Sequence, residues 1–209
     1  MRGDRGDKTQ YCLSCGDDVS TYRVEAWGDV EIRCAYCGYT LSTARTTPDA
    51  TSEVTLDVVS EATPVTLESI LVVDDDVFFR NLLSDILNEQ WVVNEVVPCE
   101  SGAALLTECV RRFRDGRPVT LVILDIVMSP MDGAAAALAL RALEQGFDLP
   151  APVPILFVSG VRADDSLRQV IEDCAPALYL NKGKDTKPPQ LAHRLEDIIP
   201  RLLNSVRAG

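Results

Sequence analysis

From Glu68 onward the chain repeats one pattern five times. Short apolar runs at 70–73, 91–97, 119–124, 155–158 and 177–180 alternate with segments of helical period, such as Phe79, Leu82, Leu83, Ile86 and Leu87. Strands that are apolar on both faces belong to a parallel sheet covered by helices on both sides. Five successive βα units therefore predict an α/β, doubly wound, five-stranded parallel sheet. In such a sheet a ligand site lies beyond the carboxyl ends of the strands, where strand order reverses.

The residues at those ends are polar in a particular way. Asp74, Asp75 and Asp76 follow the first strand, Asp125 ends the third, Ser159 follows the fourth and Lys182 follows the fifth. Crowded carboxylates repel one another, so the cluster calls for a cation, and oxygen ligands favour a hard ion such as Mg²⁺. A metal touching both a carboxylate and a phosphoryl donor neutralises the charge that moves with the phosphoryl group, while Lys182 and Ser159 hold its remaining oxygens. The pattern is that of phosphoryl transfer to Asp125.

These stretches, Ile70-Leu-Val-Val-Asp74-Asp75, Leu124-Asp125 through Met131-Asp132-Gly133, Phe157-Val-Ser159-Gly160 and Leu180-Asn-Lys182, resemble the receiver domain of two-component response regulators over about residues 68–207. The resemblance implies a flavodoxin-like fold with Asp125 as phosphoacceptor. It also implies Mg²⁺ held by Asp74, Asp75, Asp125 and the backbone carbonyl of Val127, with Ser159 and Lys182 on the phosphoryl group. The donor implied is a sensor histidine kinase or a phosphotransfer protein. Tyr179 falls where the family keeps an aromatic switch, expected to turn inward on phosphorylation. Ser129, with Pro130 one later, stands where the family usually has Pro, and Gly183 follows Lys182 where Pro is usual, with Lys184 as the rival amine. Apolar Val127 and Val161 offer no side chain to orient water, which implies slow autodephosphorylation and no other enzymatic turnover.

The first 40 residues carry a separate signal, Cys12-Leu-Ser-Cys15-Gly16 and Cys34-Ala-Tyr-Cys37-Gly38. Paired thiolates two residues apart, on two turns, complete a closed tetrahedral site suited to structural Zn²⁺. The intervening Tyr22 to Trp27 and Val30 to Arg33 segments alternate in polarity around Gly28-Asp29, as a hairpin does. So short a unit has few apolar side chains, and its folding should depend on the metal. The pattern resembles the zinc ribbon, giving a small N-terminal zinc-ribbon β domain over 1–40, a Ser/Thr-rich linker over 41–67 and a receiver domain over 68–209. Ten of the 27 linker residues are Ser or Thr, a composition that would leave the two ends mechanically loose, although the apolar run 54–59 is expected to dock.

Composition narrows the partners. The formal net charge is −12, and residues 1–40 hold five basic and seven acidic side chains, so charge gives no support to a grip on nucleic acid. The ribbon reads as a protein-docking adaptor to an unknown output partner; the alternative is a transcriptional regulator whose ribbon contacts nucleic acid. No apolar run is long enough for a membrane span and the start lacks a secretory core, so a cytoplasmic, membrane-free location is expected. Few residues follow Leu203, so output is expected from the receiver surface or the ribbon. An enzymatic alternative, a haloacid-dehalogenase-like phosphatase, wants a second Asp two residues after the nucleophile, and Asp125 is followed by Ile126 and Val127. Cys99, Cys109 and Cys174 are expected to be buried apolar residues and His193 a surface residue. Arg111, Arg112, Arg114 and Arg117 are expected to favour the negative end of a helix, and Pro200 to kink or break the last one.

Overall fold

The structure, a computed structural model, describes residues 9–12, 14–15, 17–26, 29–34, 39–45, 67–161, 163–183 and 188–207. Cys37, Lys184 and the apolar run 54–59 lie outside the described residues.

Nine strands and five helices are ordered along these residues: β1 (Thr9–Cys12), β2 (Asp17–Ala26), β3 (Asp29–Cys34), β4 (Thr40–Arg45), β5 (Leu67–Val73), α1 (Val77–Gln90), β6 (Val93–Cys99), α2 (Gly102–Arg114), β7 (Leu121–Asp125), α3 (Gly133–Gly146), β8 (Ile155–Ser159), α4 (Asp165–Asp173), β9 (Ala177–Asn181) and α5 (Pro188–Arg207). The last five strands form one parallel sheet in the order β6-β5-β7-β8-β9. The order reverses between β5 and β7, which carry Asp74 and Asp125 to adjacent positions.

Alternate residues of each central strand feed opposite faces. Ile70, Val72, Leu121, Ile123, Leu156 and Val158 pack with α1 and α5. Leu71, Val73, Val122, Leu124, Ile155 and Phe157 pack with the residues of α2, α3 and α4. Each fully buried Leu or Ile contributes about 1.5–3 kcal/mol, and the stretches 70–73, 121–124 and 155–158 are apolar throughout. Four helices begin at a side-chain oxygen that accepts from the first turn: Asp76 for α1, Ser101 for α2, Asp132 for α3 and Asp164 for α4. Such caps satisfy amides that the helix cannot. Asp76, the third member of the acidic triplet, is therefore committed to Phe78 N (2.9 Å) and stands outside the carboxylate cluster.

The expected basic last turn is present on α2, with Arg111, Arg112 and Arg114, and the last helix is not broken at its proline. Helix α5 runs as helix through Pro200, with Ile198, Ile199, Leu202 and Leu203 all buried around it; packing on the sheet outweighs the missing amide. Arg112 is 1% exposed, bonded to Glu108 (2.6 Å) and Glu95 (2.7 Å), and Arg117 also reaches Glu95 (2.7 Å). With Arg111 bonded to Glu108 (2.6 Å), three of the four arginines are thus held in ion pairs.

The N-terminal strands form a four-stranded antiparallel sheet, β1-β2-β3-β4, whose β2–β3 pair is the expected hairpin. β4 occupies residues 40–45, so the sheet continues past residue 40 into the segment read as linker; Thr40, Ser42 and Thr43 pair with Arg33, Ile32 and Glu31 of β3, with a register shift at Leu41. Among the described residues the buried apolar set here is Cys12, Val19 and Cys34, with Cys15, Tyr39 and Leu41 packed on it. Nor is this sheet loose: Ser14 and Tyr39 touch β9 and α5.

Two outcomes follow from this packing. A Cβ built on Gly133 would lie 2.0 Å from the Asp125 carbonyl oxygen, so Gly133→Ala should lower stability in urea titration by about 1–3 kcal/mol, and an unchanged midpoint would contradict the fold at this turn. Burial pushes the Cys99 thiol up to about 11 and the Cys109 thiol up to about 12, and raises that of Cys174 as well. At pH 8 all three should resist a short iodoacetamide pulse, read by peptide mass spectrometry, until denaturant is added.

Candidate functional site

The carboxyl ends of β5, β7, β8 and β9 bring the polar residues together. Asp74 is 1% exposed, Asp125 5% and Ser159 fully buried, while Asp75 is exposed at the rim. Carboxylate oxygens of Asp74, Asp75 and Asp125 lie within 4.8 Å of one another. Lys182 bridges two of them, its Nζ 2.7 Å from Asp74 Oδ2 and 2.9 Å from Asp125 Oδ2. Residues far apart in the chain meet here because the strand order reverses beside them.

Burial is the larger influence on Asp74 and holds its pKa above the ordinary carboxylate value, against the pull of Lys182. For Lys182, burial alone would depress the pKa, but hydrogen bonds to Asp74 and Asp125 together outweigh it and the amine titrates above its ordinary value. Lys182 is therefore charged across the neutral range. Its Nζ also sits 4.3 Å from the centroid of the Phe79 ring, a cation–π contact that aims the ammonium inward.

Backbone geometry supports the acidic residues. Asp74 Oδ1 accepts from Asp76 N (2.9 Å), and the Arg80 guanidinium donates to the Asp74 carbonyl. Asp125 Oδ1 receives Val127 N (3.3 Å), and Gly133 N donates to the Ile126 carbonyl (2.9 Å), folding the 126–132 loop back on β7. That loop contains a cis Ser129–Pro130 bond, so the displaced proline is accommodated within it.

On the far side, Ser159 Oγ accepts from Val161 N (3.4 Å). Tyr179 is buried, and its hydroxyl donates to the Val161 carbonyl. Asn181 joins them, its Nδ2 3.0 Å from that same carbonyl and 2.9 Å from the Tyr179 hydroxyl, while its Oδ1 accepts from Gly183 N (2.8 Å). Tyr179 thus already lies inward, so the inward turn expected on phosphorylation is not what buries it. Phe79, Arg80 and Asn181 were not singled out from sequence. Phe79 reads as one more apolar helix position, and Asn181 is marked only by being polar at the end of a buried strand.

The three oxygen donors fit a small hard cation, since octahedral Mg²⁺ binds oxygens at about 2.0–2.1 Å, within the spread of these carboxylates, and Asp75 leaves the cluster open to solvent. Among the cysteines, the Sγ atoms of Cys12, Cys15 and Cys34 lie within 4.8 Å of one another. Cys15 Sγ is 3.6 Å from Cys34 Sγ, near the roughly 3.8 Å edge of a tetrahedron with ~2.3 Å metal–sulfur bonds. Cys15 N points at Cys12 Sγ (3.4 Å), as an amide does toward a ligating sulfur. These donors fit a zinc ion.

His193 is exposed, beside Glu196 and Asp197 on α5 and away from either cluster. No described helix is long and apolar enough to cross a membrane.

Comparison with known proteins places this geometry. The family model for the response regulator receiver domain matches residues 70–196. The chain is 33% identical over 134 residues to the transcriptional regulatory protein AruR of Pseudomonas aeruginosa, covering 64% of this chain and half the length of that protein. It is 26% identical over 135 residues to the chemotaxis protein CheY of Halobacterium salinarum, covering 63% of this chain and 97% of CheY. Among solved structures it is similar to the receiver domain of the Arabidopsis thaliana histidine kinase CKI1 complexed with Mg²⁺ and BeF₃⁻, with a TM-score of 0.51 and 26% identity over 64% of this chain and 90% of that one. Sheet order, strand-end residues and family match agree, and the chain belongs to the response regulator receiver family of two-component signalling.

Proposed function

We propose that this receiver accepts a phosphoryl group on Asp125, from a sensor histidine kinase or a phosphotransfer protein, and that its phosphorylation state sets the docking of a protein partner. The observation that carries the reading is the Lys182 ammonium held between Asp74 and Asp125, with the buried Ser159 hydroxyl on the neighbouring strand. An Asp125 carboxylate oxygen attacks phosphorus; the new O–P bond forms as the P–N bond to the donor imidazole breaks, and the imidazole nitrogen takes a proton from water. Lys182 passes its hydrogen bond from Asp125 to a phosphoryl oxygen, and Ser159 donates to a second.

Asp74, Asp75, Asp125 and the Val127 carbonyl would hold Mg²⁺, which when bound neutralises the charge gathered by the three carboxylates and the phosphoryl oxygens. The CKI1 receiver complexed with Mg²⁺ and BeF₃⁻ supports this assignment by likeness. Tyr179 reads out the change: a Ser159 drawn toward phosphate secures the inward ring through Val161, which both residues touch. Val127 and Val161 are exposed and apolar at the rim, which favours slow loss of phosphate and no turnover of another substrate. In the N-terminal sheet, Cys12, Cys15, Cys34 and Cys37 would hold Zn²⁺ as a closed structural site, making that sheet an adaptor.

Acetyl phosphate with Mg²⁺ should add one phosphoryl group to the wild type, seen by intact mass, and none to Asp125→Asn; equal labelling of the two rejects the assignment. Purified protein should carry one zinc per chain by elemental analysis, and Cys34→Ser should lose it. A full zinc content in that variant would place the metal elsewhere.

A further inference from the structure

The turn between Cys12 and Cys15 does more than present thiols. Ser14, one residue before Cys15, is 1% exposed and lies against the outer edge of β9. Its carbonyl accepts from Asn181 N (2.6 Å) and from the Arg194 guanidinium of α5 (2.9 Å), and its hydroxyl donates to the Tyr179 carbonyl. Arg194 is itself buried and also donates to the Asn181 carbonyl (2.7 Å). A second contact lies further along α5, where the Arg201 guanidinium meets the Tyr39 hydroxyl and ring. β9 is the last strand of its sheet, so its outward amides and carbonyls would otherwise need water or another partner.

The residues gripped are those that shape the phosphoacceptor site. Asn181 precedes Lys182, and its side chain ties the Val161 carbonyl, the Tyr179 hydroxyl and Gly183 N together. Lys182 N in turn donates to the Ser159 carbonyl (2.7 Å). Ser14 therefore holds, from the back of the strand, the two residues whose side chains face the switch network, and the position of Ser14 is set by cysteines on either side of it.

We propose that the Cys12/Cys15 turn is a metal-dependent clamp on β9: a metal closing the thiol cluster fixes Ser14 across Tyr179 and Asn181, which steadies the inward Tyr179 and the Lys182 position, so that metal loading and phosphoryl loading favour one another. The partner of this surface is the chain's own receiver. The inference rests on the phosphoacceptor reading for its functional half and on the Ser14 contacts for its structural half. Linkage makes the effect reciprocal: whatever factor the metal contributes to phosphoryl-analogue affinity, the analogue returns to metal affinity.

The test uses the full chain in excess Mg²⁺, as zinc-loaded wild type, as the Cys12→Ser/Cys15→Ser double variant and as Ser14→Ala, which keeps every thiol. Two quantities are read: beryllofluoride affinity and hydrogen exchange at the Asn181 amide. The double variant should bind beryllofluoride about fivefold more weakly or worse and exchange Asn181 faster. Ser14→Ala should retain its zinc and fall between. Beryllofluoride should tighten zinc binding against a competing dye by the same factor as zinc tightens beryllofluoride binding. Equal beryllofluoride affinity in all three proteins, or Asn181 protection unchanged in the double variant, overturns the clamp. Failure of even the wild type to bind beryllofluoride overturns the phosphoacceptor reading instead, and Asn181 exchange then decides the clamp alone.

Discussion

A single ammonium holds the strand ends in register with one another. Lys182 reaches Asp74 and Asp125 from a third strand, at 2.7 and 2.9 Å, in a site where both carboxylates are almost wholly buried. Two like charges about 4 Å apart repel by roughly 4 kcal/mol at an effective dielectric of 20, so β5 and β7 could not present adjacent carboxylates without a compensating cation. Lys182 supplies one charge against the three of Asp74, Asp75 and Asp125. The remainder is negative, which suits a hard cation among the three oxygen donors. Phe79, beneath the ammonium, adds a cation–π contact to the Asp74 and Asp125 hydrogen bonds that keep the half-buried lysine charged.

How much of this could be read from the chain depends on whether the signal was local. Five apolar runs and their polar last residues are local facts, and with the reversal of strand order they place Asp74, Asp75, Asp125, Ser159 and Lys182 at one edge. The fate of Asp76 is also local, since an Asp two residues before Phe78 is a helix cap by position. Grouping it with its two neighbours overlooked the competition between capping and clustering. Arg112 and Pro200 are different. The basic run falls in the last turn of α2 as its position implies, but the burial of Arg112 against Glu95 and the continuation of α5 through Pro200 rest on long-range placement that the local pattern does not carry. Ser14 carried no signal at all, because what it touches lies 165 residues away.

The N-terminal sheet shows why a small unit gains from leaning on a larger one. Among its described residues the buried apolar set is Cys12, Val19 and Cys34, a small core against which to fold, and the close thiols of Cys12, Cys15 and Cys34 are one remedy. The other is the receiver itself, whose α5 offers Arg194 and Arg201 to Ser14 and Tyr39. A linker rich in Ser and Thr permits such docking without dictating it, which is why composition suggested freedom and the contacts show attachment.

β9 is where these strands of argument meet. A strand at a sheet edge needs something to occupy its outer amides, and in most chains that need says nothing about function. Here the outer amide belongs to Asn181, whose carboxamide bonds the Val161 carbonyl and the Tyr179 hydroxyl and whose successor is Lys182. A strand is stiff along its length: its backbone cannot shift at Asn181 without moving the neighbouring positions. Whatever occupies that edge is therefore mechanically one residue from the ammonium on which the site depends. The cysteine-flanked Ser14 fills the position, so the N-terminal sheet and the carboxylate edge are joined through this one strand.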